Sequence, residues 1–209
     1  MKYVVIGTGK SATAYARAMA DEGWELVIGD RQPVRAASLA KQIGRDIEGG
    51  GIAAAVKIAD LVLLALPYPA TIVALADVGD LVGKILVDSC HTVSADFQDL
   101  VIGLTDSAAQ ALQAATPRAH VVKAFNTISV HLIPISARSG RKLQVFVATT
   151  MPAPGRKCSK WRRRCALSPS TPVGCAAVGL LEPMELLNIQ LGQVLGGGGA
   201  GVAPAWTSA

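Results

Sequence analysis

The sequence predicts an α/β fold, a doubly wound parallel sheet with a small C-terminal helical lobe. Short apolar segments alternate with segments of helical periodicity over most of the 209 residues, and this alternation is typical of such sheets. In addition, Gly7, Gly9 and Ala12 lie between the first apolar segment and the first helical one. In this fold, ligands bind at the carboxyl ends of the strands.

The predicted elements follow one another in a regular order. The strand KYVVIG leads into Gly7, and the helix SATAYARAMADEG ends at Gly23. Then come the strand WELVIGD, the helix RQPVRAASLAKQIG, a turn with a helical piece in IEGGGIAAAVKIA, and the strand DLVLLALP, which is apolar enough to be buried on both faces. The rest comprises the helix ATIVALADVGDLVG, the strand KILVDS, the helix AAQALQAATPRA, and the strands HVVKAF and KLQVFVAT.

The segment VVIGTGKSA has features of two phosphate-binding loops. A nucleoside-triphosphate loop would need a glycine at position 4, where the chain has Val4. The G-x-G-x-x-A motif of dinucleotide-binding Rossmann domains fits better, because a strand precedes Gly7 and a helix follows. Gly7 would permit the tight turn, and Gly9 would let a pyrophosphate approach the helix N-terminus. The alternative is an ordinary glycine-containing turn, which the alternating elements disfavour.

The end of the second strand bears on the choice between NAD and NADP. An acid there favours NAD by accepting hydrogen bonds from the ribose, whereas an arginine favours the 2′-phosphate of NADP. The chain has Asp30 followed by Arg31, with Arg35 one turn further on. Two arginines at the start of a helix favour NADP, and the alternative is that both are solvated surface residues.

The composition favours a soluble, cytoplasmic protein without nucleic-acid or membrane partners. The most apolar stretch is interrupted by Pro67 and Pro69, and the first strand starts too early for a secretory signal. The four cysteines form no C-x-x-C pair, so we expect neither a disulfide framework nor a metal site. The net charge of +5 arises from six basic residues within positions 156–164, which is weak support for nucleic-acid binding.

Four segments, IGTGKSA, ALPYPA, VVKAFNT and LEPMELLNIQLG, together resemble one family. Its members are small reductases that transfer hydride between NADP(H) and the 8-hydroxy-5-deazaflavin coenzyme F420, and they are related to the N-terminal domain of pyrroline-5-carboxylate reductase. The resemblance covers residues 1–148 and 180–206. It implies an NADP-dependent oxidoreductase that acts as a homodimer and uses coenzyme F420 as its second substrate.

The resemblance also implies which residues bind the dinucleotide. They follow the strands of the sheet: Gly7, Thr8, Gly9, Lys10, Ser11, Asp30, Arg31, Arg35, Leu66, Pro67, Tyr68, Ala124 and Asn126. The glycine loop would line the pyrophosphate, the arginines would bind the 2′-phosphate, and the segment 66–68 would follow the nicotinamide half. Phe125 and Asn126 would lie where the two rings meet, and they are the candidate catalytic residues.

We expect few titratable groups at the site, because hydride transfer between two rings depends mainly on stacking and exclusion of water. Lys123 is expected to be a solvated or structural residue, and His131 a surface or packing residue. Asn126 would either hold a carboxamide or cap a turn. The family usually has a Thr-Asn-Pro turn where this chain has SCHTVS. Cys90 and His91 are adjacent on an extended segment and would point opposite ways, which argues against a thiol mechanism.

Residues 149–179 differ in character from the rest, so we divide the chain into an NADP-binding domain, 1–148, this anomalous segment, and the C-terminal lobe, 180–209. The segment has no acid, three of the four cysteines and a basic run, where the family would have a helix and a strand. Read in a shifted frame, its codons permit a loop, a helix and a strand, which indicates a frameshift. In the lobe, Gly196 to Gly199 and Trp206 would form a wall of the second cofactor site or a flexible tail.

The sequence therefore predicts an oxidoreductase that transfers hydride between NADP(H) and coenzyme F420. Two alternatives stay open. The same cofactor could reduce an imine or another small substrate, or the chain could be a dinucleotide-binding protein that senses NADP(H) without turnover.

Overall fold

The computed structural model describes residues 1–138, 143–150, 168–169 and 178–195. Its main sheet has seven strands in the order β3-β2-β1-β4-β5-β6-β8. These strands are β1 (Tyr3–Ile6), β2 (Leu26–Asp30), β3 (Glu48–Gly51), β4 (Leu61–Leu64), β5 (Ile85–Asp88), β6 (His120–Ala124) and β8 (Val147–Thr149). Two short strands, β7 (Gln144–Val145) and β9 (Ser168–Pro169), pair separately.

Within the described residues, six α-helices connect and cover the strands: α1 (Lys10–Asp21), α2 (Pro33–Ile43), α3 (Ile52–Ile58), α4 (Tyr68–Leu75), α5 (Ala108–Ala115) and α6 (Val178–Leu195). The helix predicted over ATIVALADVGDLVG is shorter than expected, because α4 ends at Leu75. Gly79 and Gly83 beyond it have positive φ angles of 86° and 67°, which belong to turns and not to a helix. Two 3₁₀ turns, Val130–Leu132 and Ile135–Arg138, follow β6.

Neighbouring strands from β3 to β6 are parallel, and β1 lies between β2 and β4 in the centre of the sheet. The predicted doubly wound Rossmann fold is therefore confirmed. The last strand, β8, instead runs antiparallel to β6, with Val122 opposite Thr149. An antiparallel edge strand is common on an otherwise parallel sheet and needs no crossover helix.

The segment IEGGG is a strand, so its prediction as a turn was wrong. Its residues lack the branched and aromatic side chains that signal a strand, but Glu48–Gly51 pairs in register with β2. A Cβ atom on Gly49 would lie 2.2 Å from the carbonyl oxygen of Ala36. Glycine is therefore required here because α2 approaches the strand backbone, and packing overrides local propensity.

Both faces of the sheet are buried, as expected for a doubly wound fold. Successive residues of one strand enter different clusters: Val5 packs with α1 and α2 on one face, and Val4 with α3, α5 and α6 on the other. The helical face toward the sheet is rich in alanine in α1, where Ala12 and Ala16 have no exposed surface. These small side chains let α1 lie close to the strands. The first turn of α1 is thereby held at the carboxyl end of β1.

The C-terminal helix extends from Val178 to Leu195 and contains Pro183. Its Glu182 accepts a hydrogen bond from the backbone N–H of Ala108, the first residue of α5, at 3.2 Å. The helix is thus attached to the Rossmann sheet by polar contacts as well as by Leu181. The division of the chain into residues 1–148, 149–179 and 180–209 stays a prediction.

Most of the anomalous segment lies outside the described residues, as do Gly196 to Gly199 and Trp206. The frameshift therefore stays a prediction, which the coding DNA of positions 149–179 would decide. No helix in the part of the chain that the structure describes is long and apolar enough to cross a membrane.

Candidate functional site

A cleft of about 190 Å³ opens at the carboxyl ends of β1, β2 and β4. The central strand β1 has β2 on one side and β4 on the other, so this is the point at which the connections reverse direction, the usual ligand site of such sheets. Residues from four strand-to-helix connections line the cleft: Ile6, Gly7, Thr8, Gly9, Asp30, Arg31, Gln32, Arg35, Ile52, Ala65, Leu66 and Pro67.

The glycine loop forms the floor of this cleft. Gly7 has a φ angle of +115°, and a Cβ atom there would lie 2.7 Å from the carbonyl oxygen of Ala65. A Cβ atom on Gly9 would meet nothing within 4 Å, so the backbone at Gly9 faces open space. Helix α1 begins directly afterwards, with no side-chain cap and no acid in its first turn. Its first backbone N–H groups are available to an anion.

Asp30 uses both carboxylate oxygens within the protein. The hydroxyl of Thr8 donates to Oδ2 at 2.8 Å, and the backbone N–H of Gln32 donates to Oδ1 at 2.9 Å. The exposed side chains of Arg31 and Arg35 lie beside it and form none of the ion pairs found among the described residues. The site therefore presents two available cations next to a carboxylate that is already hydrogen-bonded.

The other predicted contact residues lie around the cleft without lining it. Lys10 is exposed at the start of α1 and Ser11 is half-buried, whereas Tyr68 is half-buried in the first turn of α4. Their contacts with a dinucleotide stay predictions. Four of the lining residues were not predicted: Ile6, Gln32, Ile52 and Ala65. Ile52 was missed because it follows the strand β3, which the sequence did not reveal.

Ala124, Phe125 and Asn126 lie at the end of β6, and all three side chains are buried. Phe125 packs against Tyr15 of α1 with ring centroids 5.5 Å apart, and its φ angle of 70° is unusual for a non-glycine residue. Such backbone strain concentrates at functional sites. The position of Phe125 and Asn126 between two rings stays a prediction.

Asn126 connects the sheet to α6 and neither caps a turn nor faces the cleft in this structure. Its Nδ2 donates to the carbonyl oxygen of Leu181 at 2.8 Å and to Oε2 of Glu185 at 3.0 Å. Its Oδ1 is buried and accepts no hydrogen bond from the described residues. The side chain thus holds the C-terminal helix over the end of β6.

A buried charged cluster lies beside Asn126, at the carboxyl ends of β5 and β6. Nζ of Lys123 lies 3.0 Å from Oδ2 of Asp88 and 3.4 Å from Oε1 of Glu182, and all three side chains have at most 1% exposure. Lys123 is therefore structural and not solvated. The expectation of few titratable groups missed this cluster, although the lysine in HVVKAF and the aspartate in KILVDS break two apolar strands at equivalent positions.

Attraction to the neighbouring carboxylates keeps the ammonium group of Lys123 charged despite its burial. Burial lowers the pKa of Lys123, but the charges of Asp88, Glu182 and Glu185 outweigh this effect and raise the pKa above its ordinary value. Burial raises the pKa of Glu182, and the nearby Lys123 opposes that rise. The ammonium group therefore stays charged throughout the physiological range.

Cys90 and His91 have different environments, as the extended segment predicted. Cys90 is buried, and burial raises the pKa of its thiol well above the ordinary value, which disfavours the reactive thiolate. His91 is partly exposed, and its Nδ1 makes a short contact with Oε1 of the fully buried Glu185. His131 lies exposed in a 3₁₀ turn. Within the described ranges, no group of His, Cys, Asp and Glu is arranged to hold a metal ion.

The sequence model of the coenzyme F420-dependent NADP oxidoreductase family matches residues 2–91. This match confirms the resemblance over the glycine loop, the arginines and the segment after β4. It indicates an NADP-dependent oxidoreductase, as the sequence predicted. No curated protein sequence matches the chain significantly.

Solved structures share the fold over most of the chain. A proposed F420-dependent NADP reductase from Arthrobacter sp. FB24 is 27% identical, with a TM-score of 0.81 over 94% of this chain and 95% of that protein. A hypothetical protein from Sinorhizobium meliloti is 24% identical, with a TM-score of 0.73 over 86% and 88% of the two chains. An imine reductase from Streptomyces aurantiacus is 20% identical, with a TM-score of 0.62, and this chain spans 61% of its length.

Proposed function

We propose that this chain transfers hydride between NADP(H) and a deazaflavin of the coenzyme F420 type. The observation that carries the proposal is the cleft at the reversal point of the sheet, where an open glycine loop adjoins Arg31 and Arg35. The family match over residues 2–91 supports NADP(H) as the dinucleotide bound in this cleft.

The residues of the cleft fit NADP(H) in chemistry. The first turn of α1 and the backbone at Gly9 would hold the pyrophosphate, because both leave N–H groups accessible. Arg31 and Arg35 would hold the 2′-phosphate, since Asp30 already accepts hydrogen bonds from Thr8 and Gln32. NADPH supplies a hydride from its nicotinamide ring.

The second substrate is proposed on two grounds. The matched family is described as coenzyme F420-dependent, and so is the Arthrobacter protein of similar length. In addition, the apolar segment at Ala65, Leu66 and Pro67 continues the cleft from the glycine loop to the start of α4, which suits the flat ring of a nicotinamide and of a second bound ring. The two substrates proposed are thus both small molecules. We also propose that the protein is a homodimer and that it is located in the cytoplasm.

Imine reduction is the second candidate. The chain shares its fold with imine reductases, and His91, which contacts the buried Glu185, provides an acidic group of the kind that protonates a nitrogen. The candidate differs from the first only in the acceptor, because the dinucleotide site would be the same.

Stopped-flow mixing of the protein with NADPH and oxidised F420 tests the proposal. We expect the absorbance of the deazaflavin to fall as NADPH is oxidised in equal amount, and NADH to react more slowly. Turnover with a cyclic imine but not with F420 would favour the second candidate. Tight NADPH binding without hydride transfer to either acceptor would instead identify a sensor and contradict both enzymatic functions.

A further inference from the structure

We propose that His91, held by Glu185, is the residue that exchanges a proton with the second substrate during hydride transfer. The inference rests on the proposed function. Addition of hydride to a carbon of a deazaflavin or an imine places an electron pair on a ring or imine nitrogen, and that nitrogen must take up a proton. A proton donor held near the acceptor would supply this proton faster than water does.

His91 lies at the edge of the sheet where the cleft opens. It follows β5 by three residues, and the connecting segment is tied to the end of β4, because the hydroxyl of Ser89 donates to the carbonyl oxygen of Leu64 at 2.9 Å. Ala65 and Leu66, which follow β4 in the chain, line the dinucleotide cleft. His91 therefore follows the strand next to β4, at the same carboxyl edge of the sheet as the segment that would receive the nicotinamide half.

The histidine has one side fixed and one side open. Its Nδ1 contacts Oε1 of Glu185, whose side chain has no exposed surface, whereas 46% of the His91 side chain is exposed. Asn126 donates to the other oxygen of Glu185 at 3.0 Å, so the carboxylate is held at both oxygens. Nε2 of His91 has no hydrogen-bond partner among the described residues. A carboxylate on one ring nitrogen orients the other toward a reacting group.

The charges around the pair favour the protonated imidazole. Among the described residues, the carboxylates of Glu182, Glu185 and Asp88 face one lysine or arginine, Lys123 of β6. A protonated His91 adds a second positive charge to this group. Burial lowers the pKa of His91, but the hydrogen bond and the charge of Glu185 outweigh it and raise the pKa above the ordinary value. The imidazole is therefore protonated over more of the neutral range than a free histidine.

The remaining titratable groups near the pair do not supply charge. Burial raises the pKa of Cys90 and of Tyr15, which packs against this region from α1. The thiol and the phenol are therefore neutral at physiological pH, and His91 is the acid of this cluster with an open nitrogen.

The proton step balances the hydride step. As hydride passes from NADPH to the acceptor carbon with its two electrons, the Nε2–H bond of His91 breaks and an N–H bond forms on the acceptor nitrogen. The imidazole is left neutral, with Nδ1–H still donated to Glu185. Water restores the proton to Nε2 from the exposed side, so that one hydride and one proton are consumed for each NADPH oxidised. In the reverse direction, neutral His91 accepts the proton.

Proton titration of the ligand-free protein tests the pair without relying on activity. The imidazole signals are followed by NMR against pH, and the signal of His91 is identified by its loss in His91→Gln. We expect its midpoint to lie above the ordinary value of about 6.5 and to fall in Glu185→Gln. A midpoint at or below the ordinary value, or one that Glu185→Gln leaves unchanged, would overturn the pairing and with it the inference.

Single-turnover hydride transfer from NADPH to F420 then tests the role in the reaction. We expect His91→Gln to lower the rate by about 100-fold or more, to abolish its decline with rising pH, and to leave the Kd for NADPH unchanged; added imidazole should restore part of the rate. The exposed His131→Gln is the matched control and should react like the unaltered protein. An unchanged rate and pH profile in His91→Gln overturns this inference alone, whereas absence of transfer by the unaltered protein overturns the proposed function as well.

Discussion

Lys123 and Asp88 are directly opposite each other on the neighbouring strands β6 and β5, and their charged atoms lie 3.0 Å apart with almost no exposure to solvent. Glu182 reaches the same ammonium group from the C-terminal helix. An ion pair in the sheet thereby attaches a helix that is distant in sequence, and it fixes the region in which His91 and Asn126 meet Glu185.

Replacing Lys123 by methionine should destabilise the protein strongly. The variant keeps the length of the side chain but leaves Asp88 and Glu182 without their buried cation, a loss that costs about 3–5 kcal/mol. Urea unfolding at neutral pH measures the change. Lys41→Met, at an exposed position of α2, is the control and should stay within about 0.5 kcal/mol of the unaltered protein. Equal stabilities of the two variants would contradict a structural role for the ion pair.

Replacing Arg31 and Arg35 by glutamine should shift the preference between the dinucleotides. Charge-assisted hydrogen bonds to the 2′-phosphate are lost, so each change should raise the Kd for NADPH about 10-fold, or about 1.4 kcal/mol. Affinity for NADH should hardly change. Fluorescence titration with both dinucleotides measures the difference, and Arg17→Gln, exposed on α1, controls for lost surface charge. Parallel weakening of both dinucleotides would show that these arginines do not recognise the 2′-phosphate.

The two glycines of the loop should respond differently to alanine. In Gly7→Ala the new Cβ atom would meet the Ala65 carbonyl oxygen at 2.7 Å in a left-handed backbone conformation, so both stability and NADPH binding should fall. In Gly9→Ala the methyl group enters open space at the N-cap, and stability should change by no more than about 1 kcal/mol. Binding should still weaken, because the methyl group occupies the approach of the phosphates. Thermal unfolding and NADPH titration of both variants distinguish these effects.

The stability that His91 contributes should depend on pH. Because its pKa is raised in the folded state, the contribution is fully present below the unfolded value of about 6.5 and is lost as pH rises through the folded value. The unaltered protein should therefore exceed His91→Gln in unfolding free energy by more at pH 6 than at pH 9. Urea unfolding at the two pH values checks this. In a Glu185→Gln background the difference between the two pH values should shrink, and its persistence there would refute the pairing.

Much of the dinucleotide site could be predicted from the sequence because its signals are local. Gly7 and Gly9 lie between a strand and a helix, and Arg31 with Arg35 follows the next strand, so short-range geometry brings them to one edge of the sheet. Ile52 escaped prediction because GGG does not indicate a strand. Glycine is there to admit α2, a requirement that arises only from packing.

The sequence alone determined the fold class and the dinucleotide loop, since strand and helix periodicity and the glycine spacing depend on neighbours within a few residues. The tertiary structure decided that Lys123 is a buried ion-pair partner, that Asn126 holds the C-terminal helix, and that His91 meets Glu185, 94 positions away in the chain. Such contacts join elements distant in sequence. Their charges are tolerated in the interior only because the folded chain brings opposite charges together.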